Sequence, residues 1–166
     1  DLPCGSHEIV AFNPNIIPDD TLTVGRISNR SGKVIGTIVN YACHTTTLAG
    51  DNMAISPDYI GMARVMVEEA TGAPMLFLQG ASGELSPRNQ YSGETELADS
   101  NGRILGHAVL TSLAAMQSPG HGLKWQGVVQ SGAPLGQWHE EPTRGSTECA
   151  EVRLNAKVKV KELKSI

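Results

Sequence analysis

Hydrophobic positions alternate with polar ones in "TLTVGRIS", residues 21–28, and again in the β-branched run "VIGTIVNYACH", residues 34–44. Between them, "NRSGK" supplies Asn, Ser and Gly, so the pattern predicts two strands joined as a hairpin. The period then changes. Ile60, Ala63, Val67 and Ala70 recur at helical spacing behind Ser56, Pro57 and Asp58, which predicts a helix capped at Ser56 and stopped at Gly72. Met75 to Gln79 is a short apolar run of strand length. A second helix is expected over about 95–117, with Leu97, Ile104, Leu105, Ala108, Val109 and Leu113 on one face and Pro119-Gly120 ending it.

Beyond it, residues 122–135 read as a glycine-interrupted strand and 136–148 as a polar loop. "EVRLNAKVKVKEL", residues 151–163, alternates strictly, with Arg153, Lys157, Lys159 and Lys161 opposite Val152, Leu154, Val158 and Val160. That basic row is either a contact for anionic lipid or phosphate, or the lysine-protected face of an edge strand. The order is β-β-α-β-α-β-β, an α/β chain with a mixed sheet and flanking helices. We see no repeat and no low-complexity segment.

Composition narrows the classes. The 166 residues are 40% hydrophobic and 18% charged, which suits one globular domain spanning 1–166. A net charge of −4 argues against nucleic acid as a partner. No apolar run reaches membrane-span length. Cys4, Cys43 and Cys149 form no CxxC pair; one disulfide with one thiol left over is open, and Cys43 reads as a small core residue.

Two polar clusters follow two core strands. His44 with Thr45, Thr46 and Thr47 is the first, and "LFLQGASGELSPR", residues 76–88, delivers Glu84, Ser86 and Arg88 as the second. If the strands are parallel neighbours, both clusters emerge at one edge, where α/β proteins place ligands. His44 has the chemistry of a zinc ligand, Ser86 that of a nucleophile or water-orienting group, Glu84 that of a proton carrier, and Arg88 that of an anion holder. The alternative for each is structural: a hydrogen-bonded histidine, a turn serine before Pro87, and a local Glu84–Arg88 pair. Other templates fail. Gly80-Ala81-Ser82-Gly83-Glu84 lacks the last glycine of a nucleophile elbow, no Walker or dinucleotide loop is present, and His139-Glu140-Glu141 is not HExxH. His7, His107 and His121 have no metal-like spacing.

The segments at 40–64 and 76–88 resemble the neutral/alkaline (non-lysosomal) ceramidase family. His44-Thr45-Thr46-Thr47 matches a His-Pro-(Thr/Val)-(Ser/Thr) strand end, Asp58, Gly61 and Ala63 match its helix start, and Gly83-Glu84-Leu85-Ser86-Pro87 matches a Gly-Asp-(Val/Ile)-Ser-Pro loop. "FNPNIIPDDTLTVGRI", residues 12–27, is similar to the lead-in of bacterial members, so the resemblance covers roughly 12–115. It implies zinc-dependent hydrolysis of the amide bond of N-acylsphingosine (ceramide) or a related lipid amide, with His44 on zinc and Ser86 as nucleophile or positioner of zinc-bound water. It also implies a secreted, periplasmic or membrane-associated setting and contact with a membrane surface. Thr45 and Glu84 depart from the family's proline and aspartate. The family's other zinc histidine, its substrate arginine, and its glutamate and tyrosine ligands have no counterpart here. The chain starts at Asp1 and its last alternating run nears Ile166, so the expectation is an internal piece of a larger α/β catalytic domain, completed by other segments of the same protein or by another copy. The competing expectation is a non-catalytic binding or assembly module that keeps the ceramidase-like core.

Overall fold

The computed structural model describes residues 11–48, 50 and 52–143. They fall into two compact units, the first ending at Pro119 and the second starting at Gly120. The element order is β1 (Leu22–Ser28), β2 (Val34–Tyr41), α1 (Tyr59–Thr71), β3 (Met75–Gln79), α2 (Thr95–Ala115), β4 (His121–Ser131) and β5 (Ala133–Pro142). This is the expected α/β order with mixed strand directions.

In the first unit β1 and β2 form the expected antiparallel hairpin, and β2 pairs in parallel with β3, giving the sheet order β1-β2-β3. The parallel pairing needs a crossover, and α1 supplies it. Because side chains alternate across a strand, one sheet face carries Leu22, Val24, Thr37, Val39, Met75 and Phe77. Both helices pack there: Val39 and Met75 join Tyr59, Ala63 and Val67 of α1 and Leu105 and Val109 of α2 in the core. The other face is open, with Ile27 45% exposed, Leu76 55% and Leu78 44%.

Several boundaries differ from the sequence pattern. Strand β2 stops at Tyr41, so His44 sits three residues past the strand rather than on its last position. Asp58, not Ser56, caps α1: its carboxylate accepts the Tyr59 N–H at 2.7 Å, while Ser56 Oγ accepts the Asp58 N–H at 3.0 Å. Gly72 ends the helix as expected, in the left-handed conformation at φ 64°. Helix α2 stops at Ala115, and its buried face is rotated from the predicted one. Ala98, Gly102, Leu105, Gly106 and Val109 are buried, whereas Ile104 is 68% exposed. The reason is close helix contact. A Cβ at Gly102 would run into the Tyr59 carbonyl and lie 2.7 Å from Met62 Cβ, so α1 approaches α2 along its glycines. A hydrophobicity pattern does not register glycine as a packing surface.

The second unit is an antiparallel hairpin of β4 and β5. Residues 136–142 are thus strand, not the polar loop their composition predicts. Trp125 faces Trp138 across the ladder, ring centroids 5.4 Å apart and edge-on, and Gly136 leaves room for the Trp125 ring. That aromatic pair and the sharp turn at Gly132 (φ 71°) offset the polarity of the strand. Glu141 binds Lys124 at 2.9 Å and Gln126 at 2.7 Å, and its carboxyl lies below the ordinary range because of the Lys124 contact. The expected strand at 151–163 lies outside the described residues.

Candidate functional site

The loops that leave β2 and β3 run side by side, as parallel neighbouring strands require. His44 donates its backbone N–H to the Leu85 carbonyl at 2.8 Å, so His44 lies opposite the segment Glu84-Leu85-Ser86. Farther along, Tyr91 N–H donates to Thr46 O at 3.0 Å and Ser92 N–H to Thr47 O at 2.9 Å. Leu48 and Ser92 form an isolated parallel bridge. Thr46 Oγ1 adds a 2.9 Å bond to Gln90.

The expected residues play unequal parts in this edge. His44, Glu84 and Arg88 are exposed and Ser86 is half-buried. Thr47 is fully buried and accepts from Asn101 of α2 at 3.2 Å, so it anchors the loop rather than facing a ligand. Arg88 places its guanidinium 4.7 Å from the centre of the Phe12 ring, a cation–π contact. Among the described residues no carboxylate pairs with Arg88; the local Glu84–Arg88 ion pair does not form.

Asp58 does more than start a helix. It is 7% exposed, and its second carboxylate oxygen accepts the Leu48 N–H at 2.9 Å, tying the β2 loop to the end of α1. Its backbone sits at φ 53° and ψ −145°, a strained region for a residue with a Cβ. The hydrogen bonds on both sides hold it there.

Behind the edge lies a hollow of about 430 Å³ within the first unit. Leu22, Tyr41, Tyr59, Ile104 and Leu105 make it apolar, and Arg88 stands in its lining. The exposed Ile104 of α2 finds its explanation here. Cys43 and Pro87 also line the hollow, whereas their neighbours His44 and Ser86 do not. Burial pushes the Cys43 thiol and the Tyr59 phenol above their ordinary pKa values, so both stay protonated at neutral pH. Cys43 is a free, buried thiol.

Sequence reasoning passed over Gln79. It holds the last position of β3 on the parity of Met75 and Phe77, and a polar residue on that row, at the carboxyl end of a strand, was the available signal. Its side-chain amide donates to the Cys43 carbonyl at 2.8 Å and to Ser82 Oγ at 2.7 Å. Gly80 follows, so close to Ala42 that an added Cβ would lie 2.9 Å from that residue's own.

Among the described residues no three His, Cys, Asp or Glu side chains gather into a group that could hold an ion. No helix among them is long and apolar enough to cross a membrane. No protein-family model, curated protein or solved structure matches the chain.

Proposed function

We propose that this chain carries the β2–β3 edge of a zinc-dependent hydrolase that cleaves the amide bond of N-acylsphingosine or a related lipid amide. One observation carries the reading. The two segments that resemble ceramidases, 40–64 and 76–88, are hydrogen-bonded to each other through His44 N–H and Leu85 O at 2.8 Å.

A catalytic zinc takes three protein ligands, and no three such side chains gather among the described residues. The donor set they present does not fit a zinc ion by itself, so we derive no step through the metal. What the chain's own residues contribute is narrower. Ser86, next in the chain to the Leu85 carbonyl that accepts the His44 N–H, brings a hydroxyl, and exposed Glu84 brings a carboxylate for proton transfer. Arg88, with its guanidinium against the Phe12 ring, offers N–H donors to a substrate oxygen. The apolar hollow suits one hydrocarbon arm of a lipid amide.

The test is zinc per chain by elemental analysis, with hydrolysis of N-acylsphingosine measured alongside. Hydrolysis lost in Ser86→Ala is the expected result, and any zinc that the chain holds with ligands beyond the described residues should be lost in His44→Ala. Turnover that survives Ser86→Ala removes the catalytic reading. A second reading, a binding or assembly module with the same core, draws on the open sheet face of Ile27, Leu76 and Leu78. It expects concentration-dependent association and no hydrolysis.

A further inference from the structure

The Cys43–His44 peptide and the Leu85 backbone belong to one closed ring of hydrogen bonds. Gln79 Nε2 donates to Cys43 O at 2.8 Å; across that peptide His44 N–H donates to Leu85 O at 2.8 Å. Leu85 N–H then donates to Ser82 O at 3.1 Å, and Gln79 Nε2 closes the ring by donating to Ser82 Oγ at 2.7 Å. The Cys43 carbonyl can only accept, which dictates that the amide nitrogen of Gln79, not its oxygen, faces the loops. Both amide protons are therefore committed, one to each loop.

A second donor reaches the same carbonyl. Tyr59, 3% exposed, gives its phenolic O–H to Cys43 O at 2.7 Å from the start of α1. With Gln79 and Tyr59 both bound, the carbonyl's two lone pairs are filled and the peptide plane has one orientation left.

We propose that Gln79 is a positioning residue, which sets the backbone of His44 and, through Leu85, of Ser86, so that the two side chains keep a fixed spacing. The catalytic part of this inference rests on the hydrolase reading above; the backbone part does not. Gln79 donates to Cys43 O and Ser82 Oγ and acts through the ring. Its fork of two N–H groups is what the place demands: methionine copies the length but donates nothing, and glutamate turns an acceptor toward the Cys43 carbonyl, which can only accept.

The experiment is amide hydrogen exchange of the full chain by NMR, paired with steady-state hydrolysis of N-acylsphingosine. In Gln79→Met and Gln79→Glu the His44 and Leu85 amides should exchange about five- to tenfold faster, with Val39 in the core unchanged. Because a displaced catalytic group costs the chemical step rather than binding, kcat should fall at least about tenfold at constant KM. Tyr59→Phe should speed His44 exchange too, and the double variant should depart from additivity, since both donors share one acceptor. Unchanged His44 exchange in both Gln79 variants overturns the proposal. So does faster exchange with kcat intact. If wild type hydrolyses no amide yet His44 protection still depends on Gln79, the hydrolase reading fails and the backbone role stands.

Discussion

Both faces of the three-stranded sheet carry large hydrophobic residues, and they have opposite fates. On one, Val39 is fully buried and Met75 3% exposed beneath α1 and α2. On the other, Ile27, Leu76 and Leu78 stand 44–55% open, beside Ile38 and the small residues Gly25 and Gly36. Parallel strands in α/β proteins are usually covered on both sides, which is why their sequences read as unbroken apolar runs. "MLFLQ" at 75–79 is such a run. Hydrophobicity therefore records that both faces were made for burial, and only α1 and α2 decide which one is covered within the described residues. The polar edge, with His44, Ser86 and Gln79, lies where the strands of this half-covered sheet end.

The strongest way to break the comparison is to push the helices off the covered face. Gly102→Val places atoms against the Tyr59 carbonyl and Met62, and overpacking of that kind should cost about 3 kcal/mol or more in chemical denaturation. A loss within experimental error would mean that α1 and α2 do not meet at Gly102.

Alkaline titration probes the same face more gently. Burial raises the Tyr59 pKa above its ordinary 10.0 and the Cys43 pKa above its ordinary 9.0. Between the unfolded and the folded value the unfolded chain has lost the proton while the folded chain retains it. Stability is therefore full below about pH 9 and falls as pH rises. For Tyr59 the loss is roughly 1.4 kcal/mol over the first unit beyond its ordinary pKa. Urea midpoints from pH 8 to 11 should show the decline, shallower in Tyr59→Phe; a flat profile would remove burial as the cause.

The smallest effect sharpens the open face. Leu76→Gln and Leu78→Gln should each change the stability of the isolated chain by no more than about 0.5 kcal/mol. A much larger loss, or a change of oligomeric state by light scattering, would mean that the face is covered in solution.

The hairpin, the crossover helix, β3 and the second helix were all legible, because each carries its own period and its own stop signal, as Gly72 does for α1. Less legible was anything set by neighbours. Residues 136–142 look like a loop until Trp138 meets Trp125 across the ladder. Asp58 looks like a helix-start charge until its second oxygen reaches Leu48. His44 and Ser86 were identifiable as polar residues after core strands, whereas Gln79 was hidden at the end of an apolar run.

Local periodicity follows from how a backbone repeats its side-chain directions, so the sequence by itself determined the first three strands, both helices, their order and the two polar clusters. Which face of α2 is buried, which sheet face lies open and how the two loops lock together depend on contacts between residues far apart in the chain. Glycine at 102 and the shared carbonyl of Cys43 have meaning only when a second element arrives. Close approach and hydrogen-bond direction are properties of pairs, and the tertiary structure alone chose the pairs.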